Sequence, residues 1–405
     1  MGMPTALCAK SRYPGQFKTI FYAHEVATMR RIVERAPGHD CMFYPVLNRA
    51  YAAGQSVDET FGSQHDFYRH PLVLAARFCD NILAVGDYAV KELRFLHQDL
   101  RKQHIDLAYN GVPARRLTLD EKMVSRGRMR KYCQNLLGYD PTFIFTHVTR
   151  LVPSKGLWRD IRVVEALEKH LAAKGETAVL LVLSTEGGTR STSEILQMEK
   201  AYQWPVAHRE GHPDLTGGEA HFYLGVQEWN ARARQTKIVF LNQFGFDQAT
   251  CGSRVPAGTE FLDIRKGSDV EFGQSIYEPF GIAQVEPISF GGICVFTELC
   301  GCAGLTRKAA GGKPLDNYLI VDYTKLPAAL AVEPIEKLKQ MDETTRHTIE
   351  RSVAEEVAAE LYKRLPRTEN EFAKLVEVGG KLGQAMGWDA VAREYVLPGM
   401  EYAWR

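Results

Sequence analysis

The sequence predicts an α/β protein built on doubly wound parallel sheets. From residue 141 onward, short apolar runs rich in β-branched residues alternate with longer stretches of helical spacing. Strands alternating with helices in this way form a parallel sheet covered on both faces. The chain has 405 residues, more than one hydrophobic core holds, so two domains are expected.

The elements follow in order. In the first 140 residues, strands are expected at 18–25 (KTIFYAHE), 81–86 (NILAVG) and 105–111 (IDLAYNG), with helices around them. Three strands make a thin sheet, and no glycine-rich strand-to-helix turn precedes the first. Residues 1–140 therefore read as part of a domain and 141–385 as a whole one. The strand FIFTHVTR (143–150) leads into a helix in which Trp158, Ile161, Val164, Leu167 and Leu171 fall at helical spacing, closed by Gly175. The strand TAVLLVLST (177–185) comes next, then a helix opened by a Ser191…Glu194 capping box. Residues 205–235, interrupted by Pro and Gly, read as an elaborated connection. Further strands are expected at 237–244, 270–275, 292–297 and 317–323, and residues 334–385 are helical and charge-rich.

Composition narrows the function. Fifty basic residues face forty-nine acidic ones, so no global field favours nucleic acid or an anionic membrane. The densest basic stretch, SRGRMRK at 125–131, is short and reads as a solvated helix face. No apolar run approaches the ~20 residues of a membrane span. The first residues lack the order of a signal peptide, and Ala6 stands where a myristoylation site needs Ser or Thr. Eight scattered cysteines then predict reduced thiols and a cytoplasmic protein. Cys300 and Cys302, with Cys294 nearby, fit no standard zinc spacing, so no metal and no cofactor are expected.

The chemistry concentrates in YEPFGIAQVEPISFGG, residues 277–292. Ligands of an open parallel sheet sit beyond the carboxyl ends of its strands, where this segment lies. A helix starting near Gly281 presents free N–H groups to an anion such as phosphate, and glycine lets a ligand approach the backbone. Glu278 precedes that positive end, and Glu286 falls roughly 8 Å along the axis from Gly281. A nucleotide sugar has this layout: sugar, diphosphate, ribose diol. Glu278 is placed for sugar hydroxyls and Glu286 for the ribose, each through charge-assisted bonds. Pro287 must kink or end the helix. Arg150 and Lys155, in TRLVPSKG at another strand end, supply a fork of donors and a point charge for the diphosphate.

At these residues the sequence resembles a retaining glycosyltransferase of the GT-B fold, in particular glycosyltransferase family 4 and the glycogen synthase-like enzymes. The resemblance rests on NGVPARR (110–116), VTRLVPSKGLWRDI (148–161) and SDVEFGQSIYEPFGIAQVEPISFGGICVFT (268–297). It implies two Rossmann-like domains facing a cleft, with residues 386–405 returning as a helix to the N-terminal domain. It also implies that Arg150 and Lys155 bind the donor diphosphate, that Glu278 contacts the donor sugar and Glu286 the ribose, and that Phe280, Gly281 and Ile282 line the sugar and phosphate through backbone groups. His24, taken alone an ordinary strand-end histidine, is placed by the resemblance near the reacting sugar. Such enzymes generally need no metal. The histidine strand begins at residue 18, where the family has it roughly a hundred residues in, so the resemblance implies an N-terminal domain lacking its first strands and glycine-rich loop.

The expected function is transfer of a sugar from a nucleoside diphosphate sugar to the hydroxyl of a carbohydrate, lipid or small-molecule acceptor, giving an α-glycosidic bond. The alternative is a non-catalytic or split-enzyme fragment that binds nucleotide sugar and needs a missing N-terminal segment or partner chain. An epimerase or phosphorylase on the same fold is a third reading. A nicotinamide-dependent dehydrogenase is disfavoured by the lack of G-x-G-x-x-G.

Overall fold

The computed structural model describes residues 2–35, 40–186, 192–202, 209–211 and 214–405. Among these residues, ten strands form two all-parallel sheets. The smaller has the order β1 (Ile20–Ala23), β2 (Asn81–Ala84), β3 (Asp106–Leu107), with Ile20 opposite Asn81 and Leu83 opposite Asp106. The larger contains β4 (Phe143–Val148), β5 (Ala178–Leu183), β6 (Arg209–Gly211), β7 (Thr236–Asn242), β8 (Val270–Gly273), β9 (Ile293–Thr297) and β10 (Tyr318–Val321). Their spatial order is β10-β9-β8-β4-β5-β7-β6.

Period-two alternation divides this sheet's apolar residues between two cores. Leu180 and Val182 join Ile238 and Phe240 on one face, under the helices Leu157–Ala172, Gly217–Arg232 and Glu343–Arg364. Val179, Leu181 and Leu183 join Val239 and Leu241 on the other, under Leu119–Leu137 and Phe261–Gly267. Every residue of β5 is buried, as a continuous apolar run requires.

The connection expected at 205–235 is instead an edge strand, β6, followed by a helix over Gly217–Arg232. Gly217, Gly218 and Gly225 hide this helix from propensity. A capping box between Thr216 and Glu219 starts it, and burial of Val226 and Trp229 holds it. Ser191, the expected cap of the preceding helix, lies outside the described residues. Pro287 acts as anticipated. The α-helix Ile282–Val285 stops short of it, and the chain continues as a 3₁₀ turn over Glu286–Phe290.

The chain order creates a switch point. From β4 the chain builds outward through β5 and β7, then returns to β4's other side with β8, β9 and β10. The crevice between the ends of β4 and β8 is therefore where an open α/β sheet receives a ligand.

The smaller sheet closes over that crevice through specific contacts. The Tyr277 hydroxyl accepts from the Val26 N–H at 3.0 Å and donates to the Val26 carbonyl at 3.1 Å. Ser154 Oγ donates to Glu34 at 2.8 Å. Gly86 and Gly301 bring backbone against backbone: a Cβ on Gly301 would lie 2.1 Å from the Pro279 carbonyl oxygen and 3.0 Å from the Gly86 Cα. The last residues also reach the smaller sheet. Val112 donates to the Met386 carbonyl at 2.9 Å, and Asn81 Nδ2 donates to the Gly399 carbonyl at 2.7 Å.

Candidate functional site

A cavity of 460 Å³ opens at the switch point, with walls from both sheets. Beyond β4 come Thr149 and Arg150, then a 3₁₀ turn, Pro153–Lys155, ended by Gly156 with φ 62°. That left-handed conformation and the nearby Gln274 carbonyl, 2.8 Å from where a Cβ would sit, make glycine the fitting residue. The Ser154 carbonyl accepts from the N–H groups of Ile276 (2.8 Å) and Tyr277 (3.1 Å). This ties the turn after β4 to the segment after β8, and the result is an ion pair between Lys155 Nζ and Glu278 Oε2.

The loop bearing Glu278 is held from behind. The Glu278 and Phe280 carbonyls accept from the N–H groups of Gly301 (3.3 Å) and Cys302 (2.9 Å). Gly281 adopts φ 88° and caps the short helix from Ile282. Beneath it, buried Gln284 donates to Ser275 Oγ at 2.8 Å and accepts from Cys300 Sγ at 3.0 Å.

The structure thus brings together seven of the eight residues singled out from sequence: His24, Arg150, Lys155, Glu278, Phe280, Gly281 and Ile282 all line the cavity. Glu286 is not among its lining residues. Its carboxylate lies 3.4 Å from Arg265 Nε, and that buried guanidinium also pairs with Glu271 at 2.9 Å and donates to the Ala283 carbonyl.

His24 enters from the end of β1, exposed, its ring 4.3 Å from that of Tyr22. Tyr22 in turn donates to the Ala108 carbonyl at 2.9 Å, fixing the stack to the strand end that precedes Asn110.

Several wall residues escaped the sequence reading. Arg30 lines the cavity from the helix Ala27–Arg35, paired with Glu25 at 2.6 Å and 5.8 Å from the Tyr277 ring centre. Its only local signal was a place one and a half turns after His24. Asn110 follows the third strand of the smaller sheet. It lines the cavity, and its buried Oδ1 has no hydrogen-bond partner among the described residues. Next to it, Gly111 packs closely, since a Cβ there would lie 2.5 Å from Trp388. Phe244 and Phe261 also face the cavity, from the end of β7 and the start of Phe261–Gly267.

Electrostatically, Lys155 and Glu278 offset each other, as do Arg30 and Glu25. Arg150 is exposed and makes no ion pair among the described residues, leaving a net positive wall suited to an anion. Behind the cavity, Tyr44 donates to the buried Glu92 carboxyl at 2.7 Å, and burial pushes the Glu92 pKa up to about 8. No group of three or more His, Cys, Asp or Glu among the described residues is placed to hold a metal ion. No helix among them is long and apolar enough to cross a membrane.

No protein-family model matches the sequence, and no curated protein sequence matches it. Solved structures do. A UDP-forming α,α-trehalose-phosphate synthase from Burkholderia xenovorans superposes with a TM-score of 0.54 at 13% identity, over 100% of this chain and 72% of that one. A trehalose-6-phosphate synthase, described with bisubstrate glycomimetics of glycosyl transfer with retention, gives 0.52 at 13% identity, over 98% of this chain and 77% of that one. At such identities the likeness speaks to architecture: two parallel sheets flanked by helices, the GT-B fold.

Proposed function

We propose that this chain is a retaining glycosyltransferase, of the family 4 and glycogen synthase-like kind, that moves a sugar from a nucleoside diphosphate sugar to an acceptor hydroxyl and forms an α-glycosidic bond. One observation carries the reading: the cavity at the β4/β8 switch point is walled by Arg150, Lys155 and Glu278 on one side and His24 on the other. Cations at strand ends beside a positive-φ glycine suit a diphosphate. Glu278, joined to Lys155, is placed for the hydroxyls of the sugar that the diphosphate carries.

In this mechanism the bond between the anomeric carbon and the β-phosphate oxygen breaks while the acceptor oxygen bonds to that carbon from the same face. The acceptor proton passes to the departing phosphate. Arg150 and Lys155 stabilise the charge growing on the leaving diphosphate, and Glu278 stabilises positive charge on the sugar ring. His24 and Arg30 border the side where the acceptor arrives. The acceptor is a carbohydrate, lipid or small molecule that presents a hydroxyl.

Calorimetric titration with UDP, ADP and GDP and their glucose and mannose conjugates tests this directly. Binding of at least one, with slow release of free nucleotide in the presence of acceptor hydroxyls, is the expected result. Absence of binding to all of them overturns the reading.

A further inference from the structure

The two strands that carry the site are sparsely joined by main chain. β4 pairs with β5 over six residue pairs but with β8 over two, Phe145 with Val270 and Thr146 with Glu271. Past these pairs β4 leads to Arg150 and β8 leads to Glu278. A further main-chain tie comes at the Ser154 carbonyl, which accepts from Ile276 and Tyr277. Between the two ties the gap is spanned by side chains. The first turn of the helix Leu157–Ala172 supplies two of them, Arg159 and Asp160, both buried and neither a lining residue of the cavity.

Asp160 bridges the strand ends. One carboxylate oxygen lies 2.5 Å from Nδ1 of His147, on β4, and the other accepts from Gln274 Nε2, just beyond β8, at 2.9 Å. The Tyr323 hydroxyl donates to Gln274 Oε1 at 2.7 Å and fixes that amide. Arg159 holds the main chain of the same segment: its Nη1 donates to the Gln274 carbonyl at 3.1 Å and to the Ser275 carbonyl at 3.4 Å. Arg159 is fixed in turn by Glu350, 2.8 Å from its Nε, and by the Tyr323 ring, whose centre lies 3.9 Å from the guanidinium carbon.

We infer that Arg159 and Asp160 are positioning residues of the donor site, holding the segment that bears Glu278 at its distance from Arg150 and Lys155; this rests on the nucleotide-sugar reading above. Stability is a weak reason for the network, because apolar side chains of similar volume often serve as well as a buried ion pair. Here His147 Nε2 and Arg159 Nη2 are also buried without a hydrogen-bond partner among the described residues, a further cost. What the network supplies is a rigid link across the crevice. The cations stand on the β4 side and Glu278 on the β8 side. Loosening the link shifts the sugar contact against the diphosphate without removing either, and a displacement of about 1 Å costs roughly a hundredfold in rate.

The test separates binding from turnover in the full chain. Wild type, Asp160→Ala, Asp160→Asn, Arg159→Met and Tyr323→Phe are titrated calorimetrically with UDP, ADP and GDP. Nucleotide release from UDP-glucose, ADP-glucose and GDP-mannose is measured at saturating donor and expressed per folded molecule by circular dichroism. Asp160→Ala and Arg159→Met are expected to lower kcat by about tenfold or more, while the Kd for nucleoside diphosphate stays within about threefold. Asp160→Asn, which offers an oxygen to Gln274 and an N–H to His147, restores kcat to within about threefold of wild type. Should the larger changes prevent folding, Tyr323→Phe removes one oxygen from the same link and lowers kcat by about threefold or more at unchanged Kd. Lower thermal midpoints with kcat per folded molecule unchanged would mean a merely structural role and overturn the inference. Equal losses in nucleotide binding and kcat, or an Asn variant as impaired as the Ala one, also overturn it. Wild type that binds none of the nucleotides, or releases none from the sugars, brings down the donor reading together with this assignment.

Discussion

Replacing Lys155 by Ala removes the cation that holds Glu278 at the cavity wall. The two side chains are 9% and 15% exposed, which places the pair between two regimes. Exposed pairs contribute about 1 kcal/mol or less, whereas stripping one partner from a buried pair costs about 3–5 kcal/mol. An intermediate loss of about 2 kcal/mol in stability is expected for Lys155→Ala, and a similar one for Glu278→Ala. The double variant should lose less than the sum, because both single changes break the same ion pair. On activity, each variant forfeits a charge-assisted contact of about 1.5–3 kcal/mol, or roughly 10- to 150-fold in nucleotide-sugar turnover. Release of nucleoside diphosphate from UDP-, ADP- and GDP-sugars measures the second effect, and urea denaturation measures the first. Wild-type turnover in both single variants would refute the site. Stabilities that add within about 0.3 kcal/mol would refute the pairing.

Two further predictions concern the ground on which the site stands. The Glu92 carboxyl keeps its proton to about pH 8 in the fold but loses it near the ordinary value of 4.5 when unfolded. Its contribution is therefore fully present below pH 4.5 and is lost as pH rises toward 8, a slope of about 1.4 kcal/mol per pH unit for one proton. Glu92→Gln should remove that slope between pH 5 and 8 in urea titrations while still accepting the Tyr44 hydroxyl; an unchanged slope assigns the proton elsewhere. Gly301→Ala drives a methyl to 2.1 Å from the Pro279 carbonyl, so a loss of about 1–3 kcal/mol is expected together with weakened nucleotide binding. A Gly301→Ala protein as stable as wild type would show that the two halves do not meet at this glycine.

Legibility in the sequence followed the range of the physics involved. The run AVLLVL declared a strand buried on both faces, because burial of every side chain is written in consecutive residues. Arg150, Lys155 and Glu278 were readable because each sits at a strand end marked by local Gly or Pro. Arg30, Asn110, Phe244 and Phe261 were not. They reach the cavity from four separate segments, and nothing short of the tertiary arrangement aligns them. Glu286 was placed by helical spacing, and its carboxylate lies beside the buried Arg265 and outside the residues that line the cavity. The Gly217–Arg232 helix was missed because its stability comes from Val226 and Trp229 meeting the sheet, not from its glycine-bearing sequence.

The meeting of Gly86 with Gly301 has a mechanical side. Two backbones in contact without side chains between them can turn against each other but cannot slide far apart without opening a void. Any relative rotation of the two sheets that keeps this contact has its pivot there. Displacement grows with distance from a pivot. Pro279 and Glu278, bonded to the pivot through the Gly301 N–H, would stay nearly still while Phe244 and Phe261 travelled on the larger arc. Such a geometry keeps Glu278 close to the smaller sheet and puts any widening of the crevice at the end lined by Phe244 and Phe261.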